Sequence, residues 1–315
     1  MNRLRMVFCG TPQFAVPSLK RLISEPDFEI VGVFTQPDRP RGRGQEVSAS
    51  SVKEVAIAAA IPVHQPEKIR GPGIEEQLRA LTPEVVAIIA YGQIIPDRLL
   101  QIPRLGWINL HASLLPKYRG AAPINWAIAN GESLTGNTTM RIDAGMDTGE
   151  IMLQQELAIG PNETAPELAG RLAEAGAELM VETLRGLQSG TVRPRQQDHA
   201  AASYAPILKR ENGRIDWARR AKEIYNHMRG FAPWPGAYTE FRGQTCHVWG
   251  RPVPMGVSAG LPGTLAKLQG KLRVICGTAT VMELTHVKLE GRKRISAAEF
   301  TNGARLQPGE RFGES

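Results

Sequence analysis

The stretch Gly106-Trp107-Ile108-Asn109-Leu110-His111 joins an apolar run to two polar side chains at its end. In a β-strand, residues i and i+2 point to the same face, so the Asn109 amide and the His111 imidazole stand side by side. A segment that contains Ser113 to Pro116 follows, so the strand ends there and a loop begins. Because ligands of open α/β sheets collect at the carboxyl ends of strands, this stretch predicts a site at that edge.

The sequence on either side of this strand alternates short apolar runs with helical periodicity. Four strands are predicted: Leu4 to Cys9, Phe28 to Phe34, Val85 to Tyr91 and Trp107 to His111. Strands separated by helical stretches form βαβ units, so we expect an α/β fold with a doubly wound, mostly parallel, Rossmann-like sheet. The sequence contains neither a dinucleotide-binding nor a P-loop glycine motif.

The character of the chain changes after residue 189. Residues 190–208 lack apolar periodicity and are predicted to form a linker. A short helical pattern follows over Ile215 to Arg229, and then several short strands separated by turns, as is typical of a small OB-like β-barrel. The predicted hairpins pair Ala237 to Phe241 with Gln244 to Trp249, and Lys271 to Cys276 with Thr278 to Leu284. We therefore predict a catalytic domain over 1–189 and a C-terminal β-barrel domain over 209–315.

Charge is distributed unevenly along the chain. Residues 209–315 contain 18 Lys and Arg against 9 Asp and Glu, whereas the first 208 residues contain 20 and 22. The resulting net charges of +9 and −2 indicate that the C-terminal part binds a polyanion, with nucleic acid as the first candidate. A charge that only confers solubility is the alternative explanation.

Composition argues against several other classes of protein. Apolar stretches such as Val85 to Ala90 are far shorter than the roughly 20 residues that cross a membrane, and no signal-peptide segment opens the chain. The three cysteines are odd in number and widely spaced, which predicts reduced thiols in a cytoplasmic protein. The six histidines lack metal-ligand spacing, so we expect no metal.

An amide, an imidazole and a carboxylate together suit acyl transfer to an amine. Asp147, in the segment Gly145-Met146-Asp147-Thr148-Gly149, can supply the carboxylate. Asn and His can donate to the oxyanion of a tetrahedral intermediate, each worth about 10²–10³ in rate. A carboxylate that orients the histidine or a water can assist transfer of the amine proton. Such proton transfer is worth about 10²–10⁴ in rate. Two simpler interpretations remain open: a strand-end pair that satisfies loop carbonyls, and an aspartate that belongs to an ordinary turn.

Longer motifs resemble those of one enzyme family. The segments Asn109 to Pro116, Tyr118 to Ile124 and Gly145 to Gly149 together resemble the signature of the 10-formyltetrahydrofolate-dependent formyltransferases. Further segments resemble the members that act on tRNA rather than on small amines: Phe34 to Pro40 with Gly42 to Gly44, Arg214 to Trp217, and Phe231 to Gly236. The resemblance covers essentially the whole chain.

The resemblance implies that the protein transfers a formyl group from 10-formyltetrahydrofolate to the amino group of methionine esterified to initiator tRNA, a step in translation initiation. It implies that Asn109, His111 and Asp147 are the catalytic residues, with no covalent intermediate and no metal. It also implies that the folate co-substrate contacts four consecutive residues: Ser113, Leu114, Leu115 and Pro116. We expect a cytoplasmic monomer that does not bind a membrane.

The resemblance further implies tRNA contacts in two places. In the linker region, Ile207 replaces a lysine that many members of the family have, and Lys209 and Arg210 are the candidates to compensate for it. The other candidates are Arg39, Arg41 and Arg43, which lie in one loop, with Arg43 the expected contact. In that loop arginines alternate with Pro and Gly, a composition that suits phosphate binding and predicts a segment that is mobile without tRNA. A solvated surface loop is the alternative.

Two other functions remain open at this point. One is a formyltransferase for a small amine such as a nucleotide sugar, and the basic C-terminal part argues against it. The other is a nucleic-acid-binding protein whose first domain has lost its activity, and the complete set of Asn109, His111 and Asp147 argues against that.

Overall fold

The computed structural model describes residues 3–41 and 46–313, and it leaves the side chains of residues 40, 41, 46, 47 and 255–257 undescribed. The α-helices are α1 (Val16–Ser24), α2 (Ser51–Ala58), α3 (Ile74–Ala80), α4 (Asp97–Leu100), α5 (Pro123–Ala129), α6 (Ala165–Ser189), α7 (Ala221–Gly230) and α8 (Ala297–Ala304). The chain divides into two compact units. Unit 1 comprises Met1–Pro123, Leu134–Ala158 and Glu167–Pro206, and unit 2 comprises Ile124–Ser133, Ile159–Pro166 and Ile207–Ser315.

Unit 1 is built on a mostly parallel sheet. Its strands are β1 (Leu4–Gly10), β2 (Phe28–Phe34), β5 (Val63–His64), β6 (Val85–Ile89), β7 (Trp107–His111), β8 (Leu134–Arg141) and β9 (Ile151–Ala158), whereas β3 (Arg39–Arg41) and β4 (Glu46–Ser48) form a separate hairpin. The strand order is β5-β2-β1-β6-β7-β8-β9, and only the last two pairings are antiparallel. The chain builds outward from β1 to β5 and then crosses to β6 on the other side of β1. The carboxyl ends of β1 and β6 therefore flank the topological switch point.

Strand β7 is buried on both faces. Trp107 packs in a cluster with Val7 and Val86, whereas Ile108 and Leu110 belong to the cluster that receives α6. Alternate residues thus enter different halves of the core, as the two-residue period of a strand requires. Asn109 and His111 lie on the same side as Trp107.

Unit 2 is an antiparallel β domain with two helices packed on it. Its strands are β10 (Tyr238–Phe241), β11 (Gln244–Val257), β12 (Leu265–Leu268), β13 (Lys271–Ile275), β14 (Thr280–Leu289) and β15 (Ile295–Ser296). They run in the order β10-β11-β14-β13-β12, and β15 pairs with β14. One core joins sheet and helices through large side chains such as Trp217, Phe241 and Phe300. The predicted fold class, a Rossmann-like sheet followed by a small β domain, is confirmed.

Some element boundaries differ from those predicted. Helix α7 begins at Ala221 rather than at Ile215, because Ile215 N–H donates to the Tyr238 carbonyl at 2.8 Å and so joins β10. Strand β11 continues to Val257, beyond the predicted end at Trp249, since two register shifts accommodate its prolines. Strand β14 likewise continues to Leu289 rather than ending at Leu284.

The loop predicted over residues 39–44, here called the arginine loop, begins in a short strand rather than in irregular structure. Arg39–Arg41 and Glu46–Ser48 are short antiparallel strands, with Arg39 opposite Ser48. The tip of the segment, which includes Arg43, lies outside the described residues. Its predicted mobility and its predicted tRNA contact therefore stay predictions.

Candidate functional site

The two polar residues of β7 are placed at its carboxyl end. Asn109 lies between Ile88 of β6 and Met140 of β8, and His111 lies opposite Thr138. The His111 side chain is buried, whereas Asn109 is half-buried. Among the described residues the Asn109 amide has no hydrogen-bond partner, so its N–H groups are available to a ligand.

His111 has an acceptor at each ring nitrogen. Its Nε2 lies 2.9 Å from the Tyr118 carbonyl oxygen, and its Nδ1 lies 3.7 Å from Oδ2 of Asp147. A carbonyl oxygen only accepts, so Nε2 carries the hydrogen of that bond. The opposite nitrogen, Nδ1, therefore faces the Asp147 carboxylate. The structure thus brings His111 and Asp147 together, although 36 positions separate them in the chain.

The loop that carries Asp147 is held in an unusual backbone conformation. Asp147 has φ of 53°, in the left-handed region that non-glycine residues seldom adopt. The N–H of Gly120 donates to Oδ2 of Asp147 at 2.8 Å. Gly120 itself has φ of +116°, and a Cβ there would lie 2.8 Å from the Ala205 carbonyl oxygen. Only glycine fits this position, which explains the glycine that follows Arg119 in the sequence motif.

A buried glutamine fixes the same loop from the other side. Nε2 of Gln197 donates to the carbonyl oxygens of both Asp147 and Gly149, each at 2.8 Å. Oε1 of Gln197 accepts from the Arg119 guanidinium at 3.1 and 2.6 Å, and Arg119 also approaches Nδ1 of His199 at 3.2 Å. Gln197 is 5% exposed and Arg119 is 2% exposed. The network therefore clamps the backbone on both sides of the carboxylate.

Sequence reasoning missed Gln197. The residue lies in the stretch predicted to be a linker, and that part of the chain pairs with unit 1 through bridges such as Ile151 to Arg195. Nothing in the spacing of residues 190–208 marks this glutamine. The only sequence signal was its partner Arg119, which lies inside the family-like motif.

A cavity opens at the switch point of the sheet. Its volume is about 1010 Å³, and its wall includes Thr11, Gln36, Arg39 and Tyr91. The Tyr91 carbonyl accepts from Thr11 Oγ1 at 3.3 Å and from Gln36 Nε2 at 3.0 Å, so the loops after β1, β2 and β6 are tied together. Asn109 pairs with Ile88 near the end of β6, so the cavity lies at the edge of the sheet that carries the polar pair.

The segment predicted to bind folate is only partly accessible. Ser113 is buried and donates to the Lys117 carbonyl at 2.6 Å, and Leu115 is buried in a small cluster with Met140 and Ile151. Leu114 and Pro116 are half-buried. Side-chain contacts with a ligand can therefore come from Leu114 and Pro116, and the predicted folate contacts stay a prediction.

The predicted tRNA-binding cations are distributed over both units. Arg39 is exposed and forms part of the cavity wall, whereas the side chain of Arg41 is not among those described. In unit 2, Lys209 and Arg210 are exposed, and Nζ of Lys209 lies 3.9 Å from Glu211. Within residues 3–41 and 46–313, no group of three or more His, Cys, Asp or Glu is arranged to hold a metal ion, and no helix is long and apolar enough to cross a membrane.

Comparison with known families agrees with this geometry. Residues 3–184 match the formyl transferase family model, and residues 207–305 match the model of the formyl transferase C-terminal domain. The chain belongs to the formyl transferase family.

Two relatives within that family are both methionyl-tRNA formyltransferases. The methionyl-tRNA formyltransferase of Solibacter usitatus is 52% identical over 312 residues, which cover 99% of each chain. That of Geobacter metallireducens is 48% identical over 315 residues, covering 99% of this chain and all of the relative. Among solved structures, the sugar 3N-formyl transferase WlaRD, determined with dTDP and 5-N-formyl-THF, has a TM-score of 0.66 and covers 93% of this chain and 100% of its own. At 18% identity, that likeness concerns the fold alone.

Proposed function

We propose that the protein formylates the amino group of methionine carried by initiator tRNA and takes the formyl group from 10-formyltetrahydrofolate. The observation that carries the chemistry is the His111–Asp147 pair beside the unbonded Asn109 amide at the end of β7. The acceptor is argued from relatives about as long as this chain and 52% and 48% identical to it, both methionyl-tRNA formyltransferases.

The reaction needs one bond to form and one to break. The free amine attacks the formyl carbon, and the resulting tetrahedral intermediate carries a negative oxygen. Collapse of the intermediate breaks the bond to N10 of the folate. One amine proton passes to that nitrogen, so the products are the formylated amine and tetrahydrofolate.

The site offers donors for the oxyanion. The Asn109 amide is available to donate, and Nδ1 of His111 is the ring nitrogen that the Tyr118 carbonyl leaves open. Preorganised donors of this kind are each worth about 10²–10³ in rate. We assign both side chains to the developing oxyanion.

Asp147 is the residue that we assign to transfer of the amine proton. Its Oδ2 lies near Nδ1 of His111 and accepts from Gly120 N–H, so the carboxylate is fixed beside the imidazole. An imidazole that carries a hydrogen on both nitrogens donates from Nδ1 as well as from Nε2. We assign Asp147 to orienting His111 and a water that carries the amine proton to the folate nitrogen.

The cavity at the switch point is the space available to the substrates. Its volume of about 1010 Å³ is at the upper end for small-molecule sites, and the exposed Arg39 adds a positive charge to its wall. We assign Ser113 to Pro116 to contacts with the folate, and Arg39, Arg41, Arg43, Lys209 and Arg210 to contacts with the tRNA. A cytoplasmic location, a monomeric state and independence from metals belong to the same proposal.

The test is a formylation assay with defined acceptors. The protein is incubated with 10-formyltetrahydrofolate and methionyl initiator tRNA, and formyl-methionine is sought after deacylation. Parallel reactions with methionyl elongator tRNA and with an amino sugar nucleotide identify the acceptor. Product from the sugar alone would show that the small-amine function is the correct one, and no product from any acceptor would refute formyl transfer by this site.

A further inference from the structure

Three rings share the outer face of the β domain in unit 2. Tyr238 of β10 pairs with His247 of β11, and Trp249 follows two residues later on the same strand. Cys246 and Val248 alternate with these residues along β11 and are buried in the core, so the rings point to the opposite face. Ring centroids are 5.8 Å apart between Tyr238 and His247 and 6.4 Å apart between His247 and Trp249. We call this half-buried surface the ring face.

Cations surround the ring face. Lys288 of β14 lies opposite His247 in the sheet, so the two side chains are neighbours. Burial lowers the pKa of His247, and the positive charges of Lys288 and Arg210 lower it further, whereas Glu290 acts in the opposite sense. Lys288 therefore lies beside the histidine ring, and Arg210 adds to the positive charge that acts on it.

One arginine is held directly on a ring. The guanidinium carbon of Arg294 lies 4.1 Å from the centroid of the Trp249 ring, although Arg294 belongs to an exposed turn. The ion pairs of unit 2 use other cations, so within the described residues Arg294, Lys288 and Arg210 form no ion pair with a carboxylate. An arginine oriented by an aromatic face loses less side-chain freedom when it binds a phosphate.

We propose that the ring face is a phosphate-binding surface for RNA, with Arg294 on Trp249 as its principal contact. The proposal rests on the proposed tRNA substrate and adds a contact surface that is distinct from Lys209 and the arginine loop. Rings beside unpaired cations suit a nucleic acid, because the cations bind backbone phosphates while ring surfaces accept ribose or base. Lys288 and Arg210 extend the positive charge across the face.

The charge part of the proposal predicts a change in salt dependence. We expect Arg294→Ala to weaken binding of initiator tRNA about fivefold or more and to reduce the slope of log affinity against log salt by about 0.7–0.9, the value for one lost phosphate contact. Arg292→Ala is the matched control, because it removes the same charge from the same exposed loop at a residue that makes no ring contact within the part of the chain that the structure describes. Its effect should be clearly smaller. Equal losses in the two variants would show that only general charge matters and would overturn the proposal.

Substitution of Trp249 tests the contribution of the ring to tRNA binding without any change in charge. Trp249→Leu should weaken tRNA binding because Arg294 loses its support, and Trp249→Phe, which keeps a ring, should restore most of the affinity. Circular dichroism and melting temperature establish that each variant is folded. Wild-type affinity in folded Trp249→Leu would overturn the role of the ring.

The measurement is fluorescence anisotropy of labelled initiator tRNA with the full-length protein over a series of KCl concentrations. Formylation by the wild-type protein is measured in the same preparation. A wild-type protein that forms no formyl-methionine would refute the proposed function. A wild-type protein that formylates while Arg294→Ala binds tRNA as tightly as wild type would refute only this surface.

Discussion

The hydrogen bonds that Gln197 donates to the carbonyls of Asp147 and Gly149, here called the clamp on Asp147, give the most stringent prediction. Gln197→Met keeps the length of the side chain but removes two donors to the carbonyls of Asp147 and Gly149 and one acceptor for Arg119. Each buried polar group left without a partner costs about 1–3 kcal/mol, and partial relaxation reduces the sum, so we expect the free energy of unfolding to fall by about 2–4 kcal/mol.

The same substitution should slow the reaction. Asp147 has φ of 53°, so without the clamp its backbone can relax and move the carboxylate away from His111. A displacement of about 1 Å at a catalytic group costs up to about 10²-fold. We therefore expect kcat to fall about 10- to 100-fold at saturating tRNA and folate, with KM for tRNA changed much less. Urea unfolding and steady-state formylation measure the two effects.

A matched control and a double variant separate positioning from loss of structure. Gln196→Met is the same change at the adjacent residue, which is exposed and, among the described residues, bonds through its side chain only to Glu150, so it should alter neither quantity. If Gln197 acts through Asp147, then Gln197→Met should cost little further activity in an Asp147→Ala background. Equal losses of kcat in both backgrounds would refute this reasoning.

The remaining predictions concern the catalytic residues, the arginine loop and pH. Alanine at Asn109, His111 or Asp147 should each lower kcat at least about 10²-fold with folate binding retained, and near-normal turnover in a folded Asp147→Ala protein would contradict the mechanism. Arg43→Ala should lower kcat/KM for charged tRNA without changing Tm, and an unaltered kcat/KM would identify a solvated surface feature. Burial lowers the pKa of His227, so the unfolded chain takes up a proton there that the folded chain resists. Stability should therefore fall as pH drops below about 6.5, and His227→Gln should reduce that dependence in denaturant titrations.

The class of fold and the polar pair of β7 could be predicted from the amino-acid sequence alone. The apolar run Trp107 to His111 has a two-residue period, and that period alone places Asn109 and His111 on one face. Alternation of strands with helical stretches predicted the parallel sheet, because parallel neighbours need crossover connections. The short strands and turns after residue 208 predicted the β domain. These features depend on local periodicity, which a single sequence displays.

The groups that surround that pair become apparent only in the folded chain. Asp147, itself in the left-handed region, is held near His111 by the Gly120 N–H and the Gln197 amide, which lie 27 and 50 positions from it in the chain. Likewise, the contact of Arg294 with Trp249 joins a turn to a strand 45 positions earlier. Such contacts leave no periodic trace, because they depend on how loops fold back on the sheet. The sequence therefore specified which side chains the strand presents, and long-range packing decided which groups meet them.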